Sequence, residues 1–379
     1  MPDSIALSVI IPTYNMQPCI DRCVQSVIQQ KGKYDIEVII VDDDSADHTE
    51  QVVAKLSEKH PFVRYIKQKK RAGVSAARNA GLRAARGMYI HFVDCDDRVP
   101  EGAYSEALRH ALADKADIVT CNYIYKCSSK ESTVVYMRDT GLGRCLENNN
   151  LSLCNRLFKR SFLINNNLWL KEGMATAEDA YLICQALRLE PSISSVNTAL
   201  YEYYFDDTDE ERHCFRDLHI TSLENSLTVL RTFAEPFSKE TSLLWAEAFL
   251  NYLGFIHNNV WVKMLNTENR CQGFEMIKQA LADIQKKNPA CNLLLPANEE
   301  RFLSIFVCDY AALQALSYQQ YLQICALRRI PQVTFVQPDA PAITRQFIQN
   351  CGVGQVCLSS ITCAIRTWLG YKIRHLKRR

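Results

Sequence analysis

Along the first hundred residues, short apolar runs alternate with amphipathic ones. Residues 7–12, with the apolar run Val9-Ile10-Ile11, read as a strand, followed by the polar turn Thr13-Tyr14-Asn15. Apolar positions at helical spacing then predict a helix over 18–30. A second apolar strand, 36–41, ends abruptly at Asp42-Asp43-Asp44-Ser45. Residues 47–59 read as a helix with Asp47 as its cap, and 62–67 as a short strand. Gly73 opens a helix to Ala85 in which Ala76, Ala77, Ala80 and Ala84 keep several sides small, allowing close approach to neighbours. Residues 89–93 form the next strand. Strands alternating with helices of this length predict a mostly parallel sheet with right-handed crossovers.

The pattern changes further on. Residues 101–205 continue as mixed α/β, with strands over 117–125 and 201–205. From about 215 to 327 strand signals largely vanish and helical periodicity dominates. A domain change is expected at 210–215, inside Asp206-Asp207-Thr208-Asp209-Glu210-Glu211, and 331–341 is proline-interrupted. The organisation expected is an α/β domain over 1–212, a helical domain over 213–330, and a linker with a basic tail over 331–379.

Composition narrows the class. With 379 residues, 47% apolar and 23% charged, the chain is a globular protein of two or so domains. No apolar run approaches the ~18–20 residues that span a bilayer, and Met1-Pro2-Asp3-Ser4 reads as no secretory leader. The sixteen cysteines are scattered singly, without CxxC pairs or zinc spacing, which indicates reduced thiols and a cytoplasmic setting. Net charge is +2, but residues 340–379 alone carry +7 and no acid. A basic tail on a mildly acidic body suggests a local anionic partner and argues against general nucleic-acid binding.

The chemistry gathers at strand ends. Tyr89-Ile90-His91-Phe92-Val93 breaks into Asp94-Cys95-Asp96-Asp97, three carboxylates within four residues. At the carboxyl edge of an open sheet, where ligands bind, such a cluster is tolerable when a cation such as Mg²⁺ or Mn²⁺ neutralises it. For the triplet alone, a solvated acidic turn is the alternative. Between the strand ends lies Gly73-Val74-Ser75-Ala76-Ala77-Arg78-Asn79, a helix start suited to an anion, with Arg78 able to add a forked contact to phosphate. Tyr14 can stack a base, and Asp43 can accept an N–H from a uracil edge.

Val9-Ile10-Ile11-Pro12-Thr13-Tyr14-Asn15, Val41-Asp42-Asp43-Asp44-Ser45, the Gly73–Asn79 block and Phe92-Val93-Asp94-Cys95-Asp96-Asp97 together resemble, in order and spacing, the signature blocks of glycosyltransferase family 2. The resemblance covers about residues 5–205. It implies a GT-A fold (a Rossmann-like, mostly parallel sheet), here with a helical C-terminal domain, a nucleotide-sugar donor, Mn²⁺ or Mg²⁺, and inversion at the anomeric carbon. It also implies a donor site of Pro12, Thr13, Tyr14, Asp43, Arg78, Asp94, Cys95 and Asp96. In that site Thr13, Tyr14 and Asp43 surround the base and Arg78 faces phosphate or ribose. Asp94 with Asp96 form the metal motif. Asp44 stands where a glycine is common and Cys95 where a serine is usual. The family places its base in a Glu-Asp pair at the distance where Glu178-Asp179 stands, so Asp179 is expected to be the base and Glu178 its support. On sequence alone the pair also fits the acidic first turn of a helix. Arg212 and His213 fall where a basic loop often closes over the diphosphate.

The processive members' Gln-x-x-Arg-Trp block is absent, since Leu189 follows Gln185-Ala186-Leu187-Arg188; one sugar per encounter is expected. Residues 361–379 pattern as an interfacial helix, with Ile361, Ile365, Trp368 and Leu369 on one face and cations around them. The expected setting is peripheral, at the inner face of the cell membrane, with a glycan or lipid-linked acceptor. Donor sugar and oligomeric state, a homo-oligomer included, stay open. Two other readings compete: a haloacid-dehalogenase-like phosphatase using Asp94 and Asp96, disfavoured because three strand ends precede them, and a non-catalytic glycan-binding scaffold.

Overall fold

The computed structural model describes residues 5–30, 32–127, 133–135, 151–205, 220–233, 252, 256, 260 and 270–287. The chain divides into two compact units, Met1–Cys291 and Asn292–Arg379, and every described residue lies in the first. The 210–215 boundary, Arg212, His213, the 331–341 linker and the 361–379 helix all lie outside the described residues.

The first half follows the expected alternation: β1 (Leu7–Thr13), α1 (Gln17–Ile28), β2 (Ile36–Asp42), α2 (Thr49–Lys59), β3 (Val63–Lys67), α3 (Val74–Ala84) and β4 (Tyr89–Phe92). Then come α4 (Ala103–Asp114), β5 (Ile118–Cys127), β6 (Thr133–Val135), β7 (Arg156–Lys159), α5 (Arg160–Asn165), α6 (Glu178–Leu187), β8 (Ile193–Phe205), α7 (Ile220–Thr232) and α8 (Arg270–Lys287). The strands form one eight-stranded sheet in the order β3-β2-β1-β4-β7-β5-β6, with β8 along the other side of β5. Pairs β3-β2, β2-β1, β1-β4 and β5-β8 are parallel, while β7 runs antiparallel to both β4 and β5. This is a GT-A sheet.

β1 and β2 are buried at every position, because helices cover both faces. Val9, Ile11, Val38 and Ile40 pack with Ile20, Cys23 and Val24 of α1, Val53 of α2, and Tyr104 and Leu108 of α4. Ile10 and Val41 face the other way, against α3. The small-residue reading of α3 has a specific cause at Gly81, where a Cβ would overlap the Ile10 side chain. Asp47, expected as the cap of α2, stands one residue before the cap position: the helix starts at Thr49, its N-cap is His48 and no side chain caps it. Asp47 instead accepts from Thr49 N through Oδ1 (3.0 Å) and from Gln17 N through Oδ2 (3.0 Å), tying the approach to α2 to the start of α1.

His91 sits fully buried on β4, between Tyr104 Oη (2.8 Å from Nδ1) and the Cys154 carbonyl (2.6 Å from Nε2). The carbonyl only accepts, so Nε2 carries the proton and Nδ1 accepts from Tyr104. Burial holds the imidazole down to about 4, against the opposing pull of the Cys154 carbonyl and Asp94. The folded state therefore refuses a proton that the unfolded chain takes at the ordinary 6.5, and stability contributed above that pH is lost as pH falls toward 4. Urea midpoints should drop more steeply from pH 7 to pH 4.5 in the parent than in His91→Gln. Equal slopes in both proteins would contradict this.

Candidate active site

Because β1, β2 and β4 are parallel, their ends share one edge of the sheet, with Thr13 paired to Asp42 and Ile10 to Phe92. The connecting turns are clipped together: Asn15 N donates to Ser45 Oγ (2.9 Å) and Ala46 N to Asn15 Oδ1 (2.8 Å). Asp44 adopts φ 66°, the left-handed conformation that explains why a glycine is at home there. Asp42 is fully buried and structural, accepting from Ser45 N (2.7 Å) and Tyr65 Oη (2.6 Å).

Asp43, expected at a base edge, is also the anchor of the loop that leads into α3. Its Oδ1 accepts from Gln68 Nε2 (2.8 Å) and Ala72 N (2.7 Å), and its Oδ2 from Gly73 N (2.7 Å). Those amides precede the first turn of α3, where Gly73 takes φ 92°. Asp43 therefore sets where α3 begins. Tyr14 is half-buried and its ring carries the Arg71 guanidinium at 4.0 Å. Pro12, Thr13 and Cys95 are buried, and the Cys95 side chain joins the hydrophobic core. What Cys95 can turn toward a ligand is its backbone.

The centre of the site is Arg78, on the second turn of α3 and 3% exposed. Its Nη2 donates to Asp94 Oδ1 (2.7 Å), and its Nη1 to Glu178 Oε1 (2.8 Å) and Asp179 Oδ1 (3.2 Å). Three carboxylates from two distant parts of the chain thus converge on one guanidinium. Burial works against its charge, but Asp94, Asp179 and Glu178 outweigh burial and hold it protonated. Expected at phosphate or ribose, Arg78 directs both terminal nitrogens to these carboxylates.

Glu178 and Asp179 open α6, directly after Ala177 at φ 62°. Asp179 Oδ2 also accepts from Leu153 N (3.2 Å). Its side chain is a quarter exposed, yet dense protein surrounds it. That burial raises its carboxyl to about 7; Arg78 pulls it down, while Glu178 and Asp94 push it up. A carboxylate of that affinity, with a solvent-facing side, can take a hydroxyl proton near neutral pH.

Beyond Asp94, Asp97 is held by Tyr201 Oη (2.5 Å) and Tyr204 N (2.9 Å), and burial with Asp96 and Asp94 nearby lifts it to about 8. Asp97 is therefore a brace to β8. Asp94 Oδ2 lies 3.5 Å from the Cys154 thiol, and Asp96 is half-buried beside it, its carbonyl accepting from Arg22 Nη2 (2.7 Å). Among the described residues no three histidine, cysteine or acidic side chains form an ion cage. Two neighbouring hard carboxylates nonetheless fit Mg²⁺ or Mn²⁺, which take one or two protein carboxylates and complete their shell with water and substrate phosphate.

Three participants escaped the sequence reading, Asn79, Leu153 and Cys154, while Tyr201 was read only as part of an aromatic strand. Only Asn79 lay inside a recognised block, and nothing in its spacing points to its partner at Leu170 (2.9 and 3.0 Å). No helix among the described residues is long and apolar enough to cross a membrane.

Residues 8–175 match the family model described as Glycosyl transferase family 2. The chain is 30% identical over 211 residues to the uncharacterized glycosyltransferase EpsJ of Bacillus subtilis, covering 52% of this chain and 60% of that one. It is 40% identical over 112 residues to the minor teichoic acid biosynthesis protein GgaB of the same organism, 29% of this chain and 12% of that one. The match thus spans less than two thirds of the length of either relative. Among solved structures, Staphylococcus aureus TarS 1–349 in complex with UDP-GlcNAc superposes with a TM-score of 0.67 at 21% identity, covering 88% of this chain and 95% of that chain. That likeness is one of fold. The matching family model and a sheet that carries the signature blocks along one edge make residues 8–175 similar to glycosyltransferase family 2.

Proposed function

We propose that the protein is a metal-dependent inverting glycosyltransferase. It moves one sugar per encounter from a UDP-hexose or UDP-N-acetylhexosamine to a cell-surface glycan or lipid-linked acceptor, at the inner face of the membrane. One observation carries this reading. Asp179 stands at the carboxyl edge of the sheet with one oxygen on Arg78 and the other on Leu153 N, its carboxyl raised to about 7, beside Asp94.

In this mechanism the base lies against Tyr14 at the β1–β2 end of the edge, with Asp43 fixing the loop beneath it. Asp179 takes the acceptor hydroxyl proton as that oxygen forms its bond to C1 from the face opposite the nucleotide. The C1–O bond to the diphosphate breaks, its electron pair leaves with UDP, and configuration inverts. Asp94 and Asp96 would hold Mg²⁺ or Mn²⁺, which when bound supplies charge to stabilise the departing diphosphate. No protein acid is then required. Glu178 helps hold Arg78 against Asp179. UDP as carrier is supported by the TarS complex with UDP-GlcNAc, and the cell-surface acceptor by the teichoic acid role in GgaB's name. Residues 213–330 as an acceptor or association domain and 361–379 as the contact with anionic lipid belong to the same proposal.

A thermal-shift panel of UDP-glucose, UDP-galactose, UDP-GlcNAc and UDP-GalNAc, each with and without Mn²⁺, tests it, followed by UDP-release assays. Stabilisation by one donor only with metal, and slow metal-dependent release of UDP, is expected. Silence across the panel with folded protein overturns the donor site, and binding without any release favours the scaffold reading.

A further inference from the structure

Asp179 is delivered by a stretch of irregular backbone. Between α5, which ends at Asn165, and α6, which begins at Glu178, twelve residues carry no regular element. An irregular stretch this long has no ladder to fix it, so side chains must. At its far end Ala177 takes φ 62°, and α6 has no side-chain cap.

Asn79 fixes the middle. Its Nδ2 donates to Leu170 O (2.9 Å) and to Glu172 Oε1 (3.1 Å), and Leu170 N donates back to its Oδ1 (3.0 Å). The amide thus satisfies both backbone groups of one residue, as a neighbouring strand would. Asn79 and Leu170 are each only 2% exposed, where such bonds are strongest and losing a partner is most costly. Arg83, one turn further along α3, adds its guanidinium 5.2 Å from the Trp169 ring and 3.6 Å from Glu172.

The residue before Asn79 is Arg78, which grips Glu178 and Asp179 themselves. Adjacent residues of one helix therefore hold the segment at two points. Asn79 holds its backbone at 170, and Arg78 the side chains at its end. We propose that Asn79 is a positioning residue for Asp179, fixing through Leu170 the segment 166–177 that carries the base to the sheet edge. This rests on the transferase reading, in which Asp179 is the base.

The test uses the full chain, the panel of UDP-glucose, UDP-galactose, UDP-GlcNAc and UDP-GalNAc with Mn²⁺, and three variants. Asn79→Ala removes the clamp. Asn79→Asp keeps an acceptor for Leu170 N but loses the donor to Leu170 O. Val53→Ala truncates a fully buried residue on α2, far from the clamp, and serves as a stability control. Amide hydrogen exchange reads the segment without reference to activity. Peptides covering 166–180 should exchange at least about tenfold faster in Asn79→Ala, with Asn79→Asp between it and the parent. UDP release should fall about 10²-fold in kcat while the donor KM stays within about threefold, since displacement of a base by an ångström costs on that order. Val53→Ala should keep its kcat even where it lowers the melting temperature as much. Unchanged exchange in 166–180 overturns the proposal. So does faster exchange with kcat intact, or a kcat loss matched by Val53→Ala. If the parent releases no UDP from any donor, the transferase reading fails, whereas the exchange data still say whether Asn79 holds the segment.

Discussion

Asp179→Asn is expected to abolish sugar transfer while UDP still binds, a fall in kcat of about 10²–10⁴-fold, the usual worth of a positioned general base. The substitution is nearly isosteric, so the effect isolates proton transfer. An asparagine oxygen can still accept from either Arg78 or Leu153 N, the two donors that hold Asp179 now, but its amide cannot take a proton from a hydroxyl. The variant also removes one of three negative charges around a single guanidinium. Loss of repulsion among Asp94, Glu178 and residue 179 offsets the weaker pairing, so the fold should be no less stable. Calorimetric titration with UDP and a UDP-release assay on the same preparation separate binding from turnover. Turnover within tenfold of the parent would remove Asp179 from the role of base and move it to Glu178, which shares the same arginine.

How much of this was legible before the fold was known varies with the kind of signal. β1 to β4 and α1 to α3 were readable because apolar runs of strand length alternate with helical periodicity, and the ends fell within a few residues. The antiparallel part was not. β7 has four residues, Arg156–Lys159, with charges at both ends, too short for any period to register. β8 runs over thirteen residues, Ile193–Phe205, although only its aromatic end at 201–205 was expected, because Ser194, Ser195, Asn197 and Thr198 dilute the first half. In the site, the four blocks announced a shared edge, since each follows a strand. What they could not announce is who holds whom. Arg78 lies 100 residues before Glu178, and Asn79 91 before Leu170. Asp43 is similar: its carboxylate was legible as a polar group at a strand end, yet its three bonds to the 68–73 loop depend on β3 returning beside β2.

Arg78→Met is the substitution expected to do most damage to fold and chemistry together. It leaves Asp94, Glu178 and Asp179 facing one another with no counter-charge, around a space where the lost side chain was 4% exposed. Removing one partner of a buried ion pair costs about 3–5 kcal/mol. The carboxylates here are 12% to 33% exposed, so water relieves part of their repulsion and a loss of about 3 kcal/mol or somewhat less is expected. Urea unfolding reads that directly, and adding Asp94→Asn to Arg78→Met should recover part of it. Arg78→Lys separates structure from chemistry. A lysine keeps the charge but is a single point donor, unable to span Asp94 on one side and the Glu178-Asp179 pair on the other. Stability should then be largely retained while kcat falls, because Asp179 and Asp94 are no longer held at a fixed separation. The two roles proposed for Arg78 differ in which constant moves. If it served donor phosphate or ribose, the lysine variant would raise the donor KM and spare kcat at saturation. If it holds the carboxylates, kcat falls at an almost constant donor KM, the outcome the 2.7, 2.8 and 3.2 Å contacts support.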